Sequence, residues 1–312
     1  MADRAIEVPG PVRLRAEAAG EAGVAWLNGL GDLVAGLERD WGLAVGSTLH
    51  GGTGSYVAQA TTREGEPAVL KLGMPGEDVT GEIATLVRAE GRGYVRLLRH
   101  DAARAAMLQE RLGPSLSSLD LSVEDRMAAI CRTLQAAWTT SPQGLDLMTG
   151  AEKARWLGDF IGETWEALDR PCSERAVAQG LAYAERRAAA FDPDACVLVH
   201  GDAHDHNTLR VPGTELFKFV DPDGLAAEPA CDLAVPMREW SAELLAGDPL
   251  ELGLVRCARL SALTGVEAGA IWEWGVMERL STGLLATKLA YQPEGREMLA
   301  VADAWAFVGP LP

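Results

Sequence analysis

The chain has 312 residues, 48% of them hydrophobic, enough for one large or two ordinary domains with a real core. Its 28 Lys and Arg against 45 Asp and Glu leave a net charge of −17, a surface that repels nucleic acid and anionic membranes and attracts cations, or that serves solubility alone. The five cysteines (Cys131, Cys172, Cys196, Cys231, Cys257) are odd in number and widely spaced, which argues against zinc and a disulfide framework; with no apolar signal core at Met1–Val8 and no run of about 18 apolar residues, a soluble cytoplasmic protein is expected.

In chain order, residues 16–40 read as a helix, with Trp26, Leu27, Leu30, Leu33, Val34 and Leu37 at helical spacing. From Val45 to about Leu112 the pattern changes to short strands. Leu49 to Val57 holds a glycine turn, in which Gly51, Gly52, Gly54 and Ser55 let backbone amides approach phosphates without Cβ obstruction. A plain hairpin turn would need similar residues. Pro67–Leu72 is the next strand, Glu77–Glu90 a helix, and Val95–His100 and Ala105–Leu112 complete a small antiparallel sheet. Lys71 stands in an apolar strand, where a lone cation needs an anion or an outward face. Glu82 on the following helix, or Glu77 as its rival, can pair with it and hold the ammonium for α- and β-phosphates. A solvated lysine on an exposed strand face is the alternative. The stretch from Leu108 to Gly113, with Glu110 and Leu112, is read as an inter-lobe connector whose extended backbone can meet an adenine edge. A β-rich lobe over 1–112 and an α-rich lobe over 113–312 are expected, and a cleft between lobes is a natural ligand site.

The second lobe carries the most specific signal. Cys196–Val199 reads as a buried strand feeding the loop His200-Gly201-Asp202-Ala203-His204-Asp205-His206-Asn207. Thr208–Val211 and Leu216–Val220 read as a hairpin across Pro212-Gly213-Thr214 that delivers Asp221 beside Asn207. Asp202 can accept a hydroxyl proton, while Asn207 and Asp221 supply oxygen ligands to Mg²⁺. Taken singly, His-Gly-Asp and Asp-Pro are common turn elements. Strand, acidic loop, hairpin and second aspartate in that order point to a kinase. Asp221 and Cys231 are ten positions apart, which leaves no room for an activation segment and peptide platform, so the acceptor is small.

Near the C-terminus, Ile271–Leu280 reads as a helix on which Trp274 and Glu278 share one face, as do Trp272 and Gly275. Indole beside carboxylate suits a guanidinium or ammonium group, so Trp272, Glu273 and Glu278, with Asp202, Asp223 and Glu239, are candidate acceptor ligands. Core tryptophans with solvated glutamates are the plain alternative.

With its motifs in this order, the chain resembles the aminoglycoside/hydroxyurea phosphotransferase family, most closely the streptomycin 6-phosphotransferases. The likeness runs through Gly20–Leu27, Asp40-Trp41, Ala68–Pro75, Gly91–Leu98, Met107–Leu112, the loop at His200–Asn207, Val220–Pro222 and Glu228–Leu233. It implies an α+β, protein-kinase-like bilobal fold, ATP with Mg²⁺, and γ-phosphoryl transfer to an antibiotic hydroxyl, the 6-hydroxyl of streptomycin first. It also implies Asp202 as catalytic base, Asn207 and Asp221 as metal ligands, Lys71 as phosphate anchor and Asp232 as a brace for the loops. Two positions depart from the family pattern: His206 where a small residue usually precedes the Asn, with crowding of the acceptor side expected, and Glu228-Pro229 where Gly-Asp-Pro is usual. A different antibiotic of the hydroxyurea type, or a sugar or amine metabolite, is the alternative acceptor. A nucleotide-binding pseudokinase is the remote one, opposed by the intact set Lys71, Asp202, Asn207 and Asp221. A monomer acting on a small cationic molecule is expected.

Overall fold

The computed structural model describes residues 6–50, 52 and 54–307. Gly51, one of the expected phosphate-turn residues, lies outside them. The chain divides into two compact units, one built from residues up to Gly91 together with Val95–Gly113, the other from Arg92–Tyr94 and the residues from Pro114 onward.

In the first unit the expected single helix is two, α1 (Gly10–Ala18) and α2 (Glu21–Trp41), parted at Ala19-Gly20. Leu30, Val34 and Leu37 recur every third or fourth residue of α2, so they form one buried stripe. That stripe packs with a sheet of β1 (Leu43–Thr48), β2 (Ser55–Thr62), β3 (Pro67–Gly73), β4 (Leu97–Asp101) and β5 (Ala106–Glu110). The strands are antiparallel in the order β1-β2-β3-β5-β4, with α3 (Thr80–Ala89) inserted between β3 and β4 in sequence. Alternation sorts the faces: Tyr56, Ala58 and Ala60 of β2 and Ala68, Leu70 and Leu72 of β3 join the core with α2. Lys71, aligned with Val57 on one neighbour and Met107 on the other, therefore points to the opposite face.

The second unit is mostly helical: α4 (Val123–Ala137), α5 (Gly150–Ala167), α6 (Glu174–Ala189), α7 (Ala230–Arg238), α8 (Ser241–Leu244), α9 (Pro249–Thr264), α10 (Ala268–Lys288) and α11 (Glu294–Trp305). Short strands carry the loops: β6 (Met148–Thr149), β7 (Val197–Val199), β8 (Thr208–Arg210), β9 (Phe217–Phe219) and β10 (Leu225–Ala227). They form a three-stranded sheet, β6-β10-β7, and a β8-β9 hairpin. Helix α10 is buried on every side from Gly269 to Ser281, which is why it shows no amphipathic stripe. Gly275 lets α7 come close, since a Cβ there would collide with the Met237 side chain. Thr149 and Glu152 form a capping box that starts α5. Among the described residues no helix is long and apolar enough to cross a membrane.

Candidate active site

The first unit offers a buried ion pair. Lys71 Nζ lies 2.7 Å from both carboxylate oxygens of Glu82, in the first turn of α3. The two side chains are 9% and 11% exposed, so each charge requires the other. Glu77, the rival, pairs with Arg15 at 2.8 Å and accepts the Met74 amide at 3.3 Å. Of the turn residues, Gly52 has open space around it, Gly54 lies near Arg15 and Glu77, and Ser55 begins β2. Glu110 is tied to the segment before β4: its carboxylate accepts the Arg96 amide at 2.8 Å and its own amide donates to the Arg96 carbonyl at 2.9 Å. Leu112 is buried.

In the second unit, β7 places the acidic loop. Leu198 and Val199 are fully buried and paired with β10, which fixes where the chain emerges at His200. Asp232, near the start of α7, then grips the loop backbone, accepting the amides of His200 at 3.1 Å and Gly201 at 2.9 Å and the Trp138 indole N–H at 2.8 Å. Burial pushes the Asp232 carboxyl up, and the hydrogen bonds from these donors pull it back. Gly201 takes φ 89°, and a Cβ there would strike the Asp223 side chain, so the turn admits only glycine. The buried His200 ring bonds the Val220 carbonyl at 2.9 Å through Nε2 and accepts the Asp202 amide at 3.1 Å through Nδ1. That pair of bonds selects the neutral Nε2–H tautomer, and burial also lowers the ring's pKa. Asp205 pairs with Arg126 of α4 at 3.0 Å and fastens the loop from its other side.

The loop's functional atoms follow from this frame. Asp202 Oδ1 meets Arg238 Nη2, and Oδ2 lies 3.3 Å from His204 Nε2. Burial alone would raise the Asp202 carboxyl, but the His204 hydrogen bond and the Arg238 charge outweigh it and hold the group well below the usual carboxylate range. The Asn207 side-chain amide donates to the Asp202 carbonyl at 3.1 Å, which makes Oδ1 the coordinating atom it can offer a ligand. Val220 N donates to Asn207 O at 2.9 Å, so the β8-β9 hairpin brings Asp221 next to Asn207. Asp221 is held at φ 58°, a left-handed conformation that costs a non-glycine residue free energy and that clusters at functional sites. Asp223 is bonded through its amide to the His200 carbonyl at 2.9 Å, and desolvation raises its carboxyl against the pull of Lys153.

The expected acceptor residues fare differently. Trp272 is fully buried and packs on Trp305 with ring centroids 4.8 Å apart. Glu273 is held by Arg187 at 2.7 Å and Arg186 at 2.9 Å. Glu278 is held by Arg238 at 3.0 Å and Lys153 at 3.6 Å, and Glu239 by Arg238 at 3.2 Å. The indole–carboxylate face read from the helical spacing is thus packed interior, with each glutamate neutralised by partners on other helices. Glu228, the second family departure, accepts the Trp274 indole N–H at 2.8 Å. The His206 side chain is 75% exposed and its Nδ1 lies 3.1 Å from Ser117 Oγ. Sequence reasoning missed Arg238, Lys153 and Arg187, because Asp202, Glu273 and Glu278, the carboxylates they meet here, are remote from them in the chain. Trp272→Ala should lower stability by about 3–5 kcal/mol through the cavity it opens. A melting curve beside steady-state kinetics checks this, with acceptor KM expected to stay within about twofold where Trp272 is core; a large KM rise without loss of stability would restore it as a ligand.

Comparisons with known proteins bear on this geometry. A family profile described as aminoglycoside/hydroxyurea antibiotic resistance kinase matches residues 40–276. A streptomycin 6-kinase of Streptomyces glaucescens is 31% identical over 237 residues, 73% of this chain and 73% of its own length. A hydroxyurea phosphotransferase of Kitasatospora aureofaciens is 31% identical over 289 residues, 86% of this chain and 80% of its own. Among solved structures, an aminoglycoside phosphotransferase of Streptomyces rimosus in complex with ADP and streptomycin superposes with a TM-score of 0.54 at 18% identity, covering 81% of this chain and 98% of that one. The fold is α+β and of the protein-kinase-like kind.

Proposed function

This chain belongs to the aminoglycoside/hydroxyurea antibiotic resistance kinase family, and from that premise we propose that it transfers the γ-phosphoryl group of ATP to a hydroxyl of a small cationic antibiotic, streptomycin at its 6-hydroxyl first. The observation that carries this reading is the joining of Asp202, Asn207 and a left-handed Asp221 by one loop and one hairpin. Asp202 is the base that orients and deprotonates the acceptor hydroxyl. Its depressed carboxyl suits a group that must stay ionised while the loose transition state forms and takes the proton late.

Asn207 and Asp221 are the metal ligands of this reading. A carboxamide and a carboxylate are hard oxygen donors, and two protein ligands fit Mg²⁺, which keeps waters and binds substrate phosphates. Bound there, Mg²⁺ supplies charge neutralisation on the phosphates. Lys71, paired with Glu82, is the phosphate anchor, and Gly52, Gly54 and Ser55 belong to the phosphate turn. The enzyme is proposed to work in the cytoplasm as a monomer. A hydroxyurea-type acceptor is the second reading, favoured by the equal identity of the Kitasatospora relative.

The test is coupled ADP release with Mg²⁺-ATP against streptomycin, other aminoglycosides, hydroxyurea and amino sugars. Turnover on streptomycin with a KM in the range typical of enzymes, about 1 μM to 1 mM, supports the first reading. Turnover confined to hydroxyurea supports the second, and turnover confined to a sugar or amine metabolite removes both named acceptors while leaving the kinase assignment intact.

A further inference from the structure

Arg238 ends α7, and its guanidinium meets three carboxylates at once. Nη2 contacts Asp202 Oδ1, Nη1 donates to Glu278 Oε2 at 3.0 Å, and Nε donates to Glu239 Oε1 at 3.2 Å. A planar fork with every edge engaged has one rotamer, so the direction of its contact with Asp202 is fixed. The backbone that carries it is fixed as well. Arg279 Nη2 donates to the Met237 carbonyl at 2.8 Å and Arg256 Nη1 to the Glu239 carbonyl at 2.6 Å, so two buried cations cap the end of α7. Behind Glu278, Lys153 of α5 adds a second positive charge at 3.6 Å. Asp232, near the other end of the same helix, holds the backbone amides of His200 and Gly201. One helix therefore grips the loop twice, by its backbone at one end and by the Asp202 side chain at the other.

A carboxylate turns readily about its last torsion, because that torsion is broad and roughly two-fold. Pinning one oxygen removes that freedom and aims the other. The remaining contact, from His204 Nε2 to Oδ2 at 3.3 Å, is longer than a good charge-assisted bond of about 2.7–2.9 Å, so it is the one that gives way. We propose that Arg238 is the positioning residue of Asp202: it holds Oδ1 and presents Oδ2 to the acceptor hydroxyl, while Glu278 and Lys153 brace Arg238 and do not bind the acceptor. The inference rests on the reading of Asp202 as catalytic base.

Removing Arg238 alone would leave the buried Glu278 with the longer Lys153 contact at 3.6 Å, so the test variant is Arg238→Met combined with Glu278→Gln, with circular dichroism and thermal melting to confirm folding. With Mg²⁺-ATP and streptomycin, kcat is expected to fall about 30- to 100-fold from misaiming of the base while the KM for ATP stays unchanged. Arg238→Lys, which keeps the charge but not the fork, should recover part of the loss. In an Asp202→Asn background the same double change should cost less than about threefold, because Arg238 acts through Asp202. An unchanged kcat in a folded variant overturns the proposal, as does a full additional loss in the Asp202→Asn background. Failure of the underlying reading shows separately, as retained activity in Asp202→Asn alone.

Discussion

Asp202→Asn should lower turnover by about 10²–10⁴-fold, the usual range for loss of a positioned general base, with little change in nucleotide affinity. The substitution keeps the volume and one acceptor oxygen, so Arg238 still has a partner and the loop stays in place. What is lost is the proton acceptor, together with the bond to His204, whose Nε2–H would face an amide N–H₂ in place of Oδ2. The loop backbone does not depend on the side chain. His200, Gly201 and Asn207 are held by Asp232, Val220 and His204, so folding is expected to survive with a small drop in melting temperature. Coupled ADP release measures turnover, and titration of ATP by calorimetry measures affinity. Wild-type turnover in a folded Asp202→Asn protein would remove Asp202 from the role of base, whereas joint loss of turnover and ATP affinity would assign it to metal or nucleotide binding.

How much of this was legible beforehand depends on the distance over which each feature is specified. The β1–β5 sheet follows from period-two alternation and nearby turns, and Lys71 and Glu82 meet because a strand and the first turn of the next helix are eleven positions apart. The acidic loop is legible for the same reason: a buried β7, a glycine that only the turn at Gly201 requires, and a hairpin returning Val220 to Asn207 are all local. Helix α10 is the counterexample. Trp272, Glu273, Trp274 and Glu278 mimic a ligand-binding face because their spacing is helical, but the cations that neutralise the glutamates sit on α5, α6 and α7. No window of sequence contains both partners. The break between α1 and α2 has a local mark in Gly20, at φ 74°, but the apolar residues at helical spacing begin at Trp26, beyond it, so they do not define where the helix starts. Arg238 was invisible as a site residue for the opposite reason: nothing near it is unusual, and its meaning arises only once α7 folds back on the loop.

The second large effect should come from Asp232→Ala. Asp232 has no solvent exposure and accepts three donors, the His200 and Gly201 amides and the Trp138 indole. Alanine leaves all three without a partner, and a buried unsatisfied donor costs about 1–3 kcal/mol, so a loss of roughly 3–9 kcal/mol is expected where overall stability is about 5–15 kcal/mol. For a unit of this size that corresponds to a fall in melting temperature of about 10 °C or more, with much of the protein lost to aggregation. Asp232→Asn separates acceptor count from charge. Its single acceptor oxygen can serve one or two donors, and its own N–H₂ must face the third, so a destabilisation of roughly half the alanine value follows if the hydrogen bonds matter more than the charge. Burial raises the Asp232 carboxyl, so the negative charge itself is held at a cost, and removing it offsets part of the damage in the asparagine variant. The kinetics discriminate further. Asparagine at 232 should also lower kcat per folded molecule, since a loosened His200-Gly201 backbone moves Asp202 relative to its acceptor. An Asp232→Ala protein that melts within about 2 °C of wild type would show that the loop is held by its flanking strands and not by α7.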